Sequence, residues 1–182
     1  MIEEHRLEIK RQARYFKLGE QKQAKHLIFV LHGYGQLPQY FLRKFLPLQA
    51  SHRLLVAPEG LHRFYLSGSK GRVGSSWMTK EDRQQDIEDY VAYLDQLARQ
   101  LASQHFDRVT ILGFSQGVAT ACRWAVLGET PFDVLVNWAG AFPPDLDFTK
   151  AYDRLQAKHL FLALGDQDEY ASEEDFQKQV KN

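Results

Sequence analysis

Ser115 stands in Gly113-Phe114-Ser115-Gln116-Gly117, with a glycine two residues away on either side. The pattern alone says little, since about one chain in twenty of this length carries a Gly-x-Ser-x-Gly by chance. Its surroundings say more. The apolar run 109–112 leads straight into it, and Val118-Ala119-Thr120-Ala121-Cys122 follows with helical character. A serine on a tight strand–turn–helix junction is held in a strained, exposed position where its hydroxyl can attack an acyl carbonyl. Glycines flank it because strand and helix come too close for side chains. The N-terminus of the following helix favours developing negative charge.

Such an attack needs donors for the oxyanion, a base and an acid. His32-Gly33-Tyr34-Gly35 follows the apolar run 27–31, and a loop of this kind offers a backbone N–H to the oxyanion. The expected donors are the N–H groups of Tyr34 and Gln116, each able to contribute ~3–4 kcal/mol in the transition state. His32 is expected to brace this loop rather than to act as the base, because it precedes the nucleophile and sits at a strand end. The acid is sought in Gly165-Asp166-Gln167-Asp168, after the last apolar strand. Asp168 suits the residue that orients a catalytic histidine, and Asp166 suits a turn cap, with both open to being plain loop acids. Cys122 reads as buried packing. With no His-x-x-x-His, no cysteine pair and no Gly-Lys-Ser/Thr phosphate loop, no metal or other cofactor is expected.

The elements that must hold these residues can be read from periodicity. Runs 27–31, 54–57 and 160–164 are continuously apolar, 109–112 and 134–138 nearly so, and they stop at His32-Gly33, glycine, proline or a small residue, as strands covered on both faces do. Residues 14–18 alternate and meet Gly19, so they read as a half-buried strand, with Leu7-Glu8-Ile9 as its antiparallel partner. Thr79 with Asp82 resembles a helix N-cap. Beyond it Ile87, Val91, Leu94, Leu97 and Leu101 recur at helical spacing. A second helix is expected from Ser115 to about Leu127, stopped by Gly128. Alternating strands and helices imply an α/β fold, a mainly parallel sheet with helices on both faces, in a single domain over 1–182. Residues 60–77, with Gly68, Gly71 and Gly74, resist this reading and are expected to be a functional or mobile loop, or a tolerated insertion.

These pieces, taken in order, resemble the phospholipase/carboxylesterase family of α/β-hydrolases, which includes acyl-protein thioesterases and small bacterial carboxylesterases. The resemblance rests on Leu31-His32-Gly33-Tyr34-Gly35, Ala57-Pro58-Glu59-Gly60, Ser76-Trp77, Gly113-Phe114-Ser115-Gln116-Gly117, Ala139-Gly140-Ala141-Phe142-Pro143 and Leu164-Gly165-Asp166-Gln167-Asp168. It implies hydrolysis of a small acyl ester or thioester, with Ser115 as nucleophile, Asp168 as acid, and Tyr34 and Gln116 as oxyanion donors. It also implies that Trp77 lies at the substrate cleft, where a core or lid aromatic is the equal alternative. The family's histidine follows the acid by one more helix and strand. Here all seven histidines precede Asp168, and residues 169–182 contain none. The chain is therefore expected to lack its last strand and helix, about 25–40 residues by ordinary element lengths. The open sheet edge would then favour aggregation or pairing as a homodimer. The alternative reading is a non-catalytic binding relative that lost its histidine.

Bulk properties narrow the partners. Lys plus Arg and Asp plus Glu number 23 each, so no net field draws nucleic acid or an anionic membrane. The charged start lacks the apolar core of a signal peptide, and no run reaches the ~18 apolar residues of a membrane span. One cysteine allows no intrachain disulfide. A cytoplasmic location is the expectation.

Overall fold

The computed structural model describes residues 1–165 of the chain, so Asp166 and Asp168 lie outside the described residues. Its centre is a six-stranded sheet in the order β1 (Tyr15–Leu18), β3 (Arg53–Pro58), β2 (His26–Leu31), β6 (Arg108–Phe114), β7 (Val134–Trp138), β8 (His159–Ala163). β1 runs antiparallel to β3, and the other neighbours are parallel. The continuous apolar runs are explained by two covered faces. Leu27, Phe29 and Leu31 of β2 point into one buried cluster with Leu54, Val56 and Ile111. Ile28 and Val30 point the other way, against Phe41, Leu42 and Phe45. This is the period-two alternation of a strand with core on both sides.

Helices α2 (Arg83–Leu101), α3 (Gln116–Leu127) and α4 (Phe148–Leu155) contribute to the first cluster. The short α1 (Pro38–Leu42) and the 3-10 turn Arg43–Leu48 cover the second. α2 buries Ile87, Tyr90, Leu94, Leu97 and Leu101 along one stripe, as its spacing requires. α3 is buried nearly all round, and its Trp124 meets Phe29 of the sheet edge to face at 4.9 Å. β8 has a strand neighbour on one side only among the described residues, and its Leu160 and Phe161 are more than half exposed.

Three expectations need correction. Leu7-Glu8-Ile9 forms no strand; β1 takes β3 as partner, with Phe16 opposite Ala57, because Phe16 and Leu18 pack there against the second cluster. The arm before β1 is instead tied down by arginines: Arg6 reaches Asp82 at 2.9 Å, Arg11 the Leu61 carbonyl, and Arg14 the carboxylate of Glu59. Helix α2 begins at Arg83, not after Thr79. Asp82 precedes it with φ 48° and no side-chain cap, while the Thr79 N–H donates to Asp86 at 3.1 Å. Residues 60–77 are not a bare loop. They hold an antiparallel hairpin, β4 (His62–Tyr65) and β5 (Val73–Ser76), with Gly68 and Gly71 at positive φ in its tip.

Candidate active site

β6 delivers the chain to Ser115, which has φ 53° and ψ −118° and directly precedes α3. That positive-φ conformation costs a non-glycine residue on the order of 1–3 kcal/mol, so the surroundings must impose it. They do so by backbone crowding. A Cβ on Gly113 would overlap the Gly117 carbonyl, and one on Gly117 would overlap the Leu31 carbonyl and stand 2.7 Å from that of His32. The Ser115 N–H donates to the Trp138 carbonyl at 3.0 Å, and its own carbonyl accepts from Val118 at 2.9 Å. With the backbone held on both sides, the serine is exposed at the carboxyl ends of the strands.

The loop after β2 lies against this turn. A Cβ built on Gly33 would stand 3.2 Å from that of Ser115. Within the loop, the Gly33 N–H donates to the Gln36 side chain at 2.9 Å and the Gly35 N–H to the Ser75 carbonyl at 2.9 Å. Among the described residues, the N–H groups of Tyr34 and Gln116 make no hydrogen bond. Gln116 keeps its backbone in place through its side chain. Its amide donates to Ser76 Oγ and to the Met78 carbonyl, each at 3.0 Å, and accepts from the Trp77 N–H at 3.2 Å.

His32 is fully buried under this loop. Its Nδ1 lies 2.8 Å from the Gly33 carbonyl, which can only accept, so Nδ1 carries the proton. Nε2 is then the acceptor, receiving the Gly60 N–H at 3.0 Å with Ser75 Oγ at 3.1 Å. Both ring nitrogens are engaged in bracing, and neither is hydrogen-bonded to Ser115. Burial pushes the imidazole down to about 4, against the opposing pull of the Gly33 hydrogen bond and the Glu59 charge.

That shift predicts a pH dependence. In the unfolded chain the group protonates near pH ~6.5. Below that value the unfolded state binds a proton that the folded state refuses. The His32 contribution is thus complete above pH ~6.5 and is lost as pH falls toward 4. It amounts to roughly 3 kcal/mol. Denaturation midpoints between pH 7 and 4 check it: the decline should be shallower by about this amount in His32→Asn than in the parent. His26, also lowered chiefly by burial, adds a slope of the same sign to both proteins, so the comparison isolates His32. Equal slopes would refute the assignment.

The remaining histidines are placed elsewhere. His26 and His159 open β2 and β8, and His52 and His105 precede β3 and β6. In a parallel sheet these four lie at the amino edge, about 20 Å from the serine by the rise of the seven-residue β6. His62 pairs with Asp86 at 3.0 Å, and His5 lies beside Glu3 at 3.5 Å. Cys122 is buried, and desolvation raises its thiol to about 12, which suits packing rather than attack. Among the described residues no three His, Cys, Asp or Glu side chains gather as a metal site would require.

Of the two equal expectations for Trp77, substrate cleft or core and lid aromatic, the structure shows a core residue. Its ring is 0% exposed, stacks on His32 at 5.0 Å and donates Nε1–H to the His32 carbonyl at 2.8 Å. The indole belongs to the first buried cluster, while the Trp77 N–H donates to the Gln116 side chain. Ser76-Trp77 and Ala57-Pro58-Glu59-Gly60 stand out in the sequence, but nothing there gives Ser75, Ser76, Gly60 or Gln36 the part in shaping the site that their hydrogen bonds show. The signal available was the small-residue content of 74–76, which permits close backbone approach.

A nucleophile-type elbow after a central parallel strand, with a glycine loop beside it and helices on both faces, defines the α/β-hydrolase fold. The chain belongs to the phospholipase/carboxylesterase family, whose model matches residues 17–180. Among solved structures it is similar to acyl-protein thioesterase 2 of Zea mays (TM-score 0.69, 17% identity, covering 93% of this chain and 83% of that one). It also resembles a phospholipase/carboxylesterase from Dyadobacter fermentans (TM-score 0.66, 16% identity, covering 96% and 82%). A third is the Bacillus cereus carboxylesterase (TM-score 0.64, 16% identity, covering 93% and 78%). At these identities the likeness is one of fold. No curated protein matches the chain in sequence.

Proposed function

We propose that the protein hydrolyses carboxylic esters or thioesters with Ser115 as its nucleophile. The observation that carries this reading is Ser115 itself, exposed at φ 53° where a parallel strand meets a helix N-terminus. Ser115 Oγ attacks the acyl carbonyl carbon, and the oxyanion is held by the N–H groups of Tyr34 and Gln116. The base in this reading is a histidine that follows Asn182, oriented by Asp168. It takes the serine proton and returns it to the departing alkoxide or thiolate, and water then releases the acyl group by the same route. The engagement of His32 in the loop after β2 and the placement of His26, His52, His105 and His159 at the amino edge of the sheet support a base from beyond residues 1–182. No helix among the described residues is long and apolar enough to cross a membrane. We place the protein in the cytoplasm as one domain needing no cofactor, able to pair with a second copy.

Labelling with a fluorophosphonate tests the proposal. A form that includes the downstream histidine should be modified at Ser115 and hydrolyse short aryl esters, whereas a form ending at Asn182 should be nearly inert on both counts. Full Ser115-dependent activity in the shorter form would show that a histidine within it serves as the base. Modification elsewhere would remove Ser115 from the mechanism.

A further inference from the structure

His32 joins two parts of the molecule. On one side its Nδ1–H holds the Gly33 carbonyl at 2.8 Å, and the Gln36 N–H holds the same oxygen at 3.2 Å. The Gly33 carbonyl and the Tyr34 N–H belong to one planar peptide, which is trans. In a trans peptide the two bonds point in opposite directions, so fixing the carbonyl aims the Tyr34 N–H. On the other side Nε2 receives the Gly60 N–H. Gly60 follows Glu59, whose buried carboxylate is gripped by Arg14 at 2.6 and 2.9 Å and by Arg63 at 3.0 Å. Burial alone would raise that carboxyl, yet the hydrogen bonds from Arg14 and Arg63 hold it below the usual range. The Glu59 N–H also donates to the Arg14 carbonyl at 3.0 Å.

We propose that His32 is a positioning residue that sets the direction of the Tyr34 N–H, and that the Arg14–Glu59–Arg63 clamp supplies the fixed point from which it does so. The inference rests on the reading of Tyr34 as an oxyanion donor. It assigns a function to the buried Glu59 and to the hairpin, whose Arg63 and Ser75 meet the two ends of this relay.

The test compares His32→Phe, His32→Asn and Glu59→Gln in the full protein, with melting curves to confirm folding. His32→Phe keeps a ring against Trp77 but no hydrogen bond. It should lower kcat by ~10²-fold, the loss typical of one oxyanion donor, with KM within about threefold. Affinity for an alkyl boronic acid, which forms a tetrahedral serine adduct, should fall in parallel. His32→Asn places an amide N–H near the Nδ1 position and should recover most of both. Glu59→Gln should lower kcat by roughly tenfold on the same logic, and it carries the test if His32→Phe does not fold. Loss of kcat with unchanged boronate affinity would overturn the inference. The Tyr34 amide resonance in a 15N-labelled protein reads the geometry without turnover. It should move in His32→Phe and return toward its parent position in His32→Asn. An unmoved resonance overturns the inference even if the protein proves to be no hydrolase, whereas activity that survives Ser115→Ala overturns only the proposed function.

Discussion

Ser115→Ala is expected to lower ester hydrolysis by about 10⁴–10⁶-fold, the loss seen when a serine nucleophile is removed from a working triad. The geometry should survive the change. Alanine differs from serine only by the hydroxyl, and the positive φ at 115 is imposed by the crowding at Gly113 and Gly117 rather than by the Oγ. Among the described residues no hydrogen bond from the Ser115 side chain would be lost. Thermal stability should therefore shift by less than about 1 kcal/mol, within the range of exposed substitutions. The measurement is kcat/KM on a short aryl ester beside a melting curve. A residual rate above ~1% of the parent in a correctly folded Ser115→Ala protein would remove the serine mechanism.

Trp77→Ala carries the largest expected effect on stability, a loss of ~3–5 kcal/mol. The indole is fully buried between His32 and Tyr90, with ring centroids 5.0 and 6.3 Å away. Its removal opens a cavity and leaves the His32 carbonyl without its 2.8 Å donor. Set against a typical net stability of ~5–15 kcal/mol, this is enough to unfold a marginal protein. Trp77→Phe fills most of the space and loses only the hydrogen bond, for a cost of ~1–3 kcal/mol. Urea denaturation distinguishes the two. Because the ring faces the core, Trp77→Phe should leave the preference between short and long acyl chains unchanged. A shift in that preference, with stability intact, would restore Trp77 to the substrate cleft.

Strand β8 shows how far local pattern carries. Residues 160–164 read as a strand buried on both faces, and β8 does form at His159–Ala163. Its Leu160 and Phe161 are nevertheless exposed, because burial depends on what lies beside a strand rather than on its own composition. The same limit explains the antiparallel partner of β1. Leu7-Glu8-Ile9 has the alternation of a strand, but alternation does not name a partner, and β3 lies some forty residues later in the chain.

What the sequence by itself determined is local. Glycine at 113 and 117 with serine between them, after an apolar run and before small helix-forming residues, marks a strand–turn–helix junction, although only the crowding at Gly113 is local and that at Gly117 comes from the carbonyls of Leu31 and His32. The parallel strands and the two long helices were legible because periods of 2 and 3.6 are written in neighbouring side chains. Only the tertiary structure decided the rest. It made the 60–77 segment a hairpin that holds the loop after β2 and Gln116, put Trp77 inside, and turned His32 toward Gly33 and Gly60. Most of these depend on which distant group stands within hydrogen-bond distance of a polar atom, and that distance is set by how the sheet and hairpin pack rather than by adjacent residues.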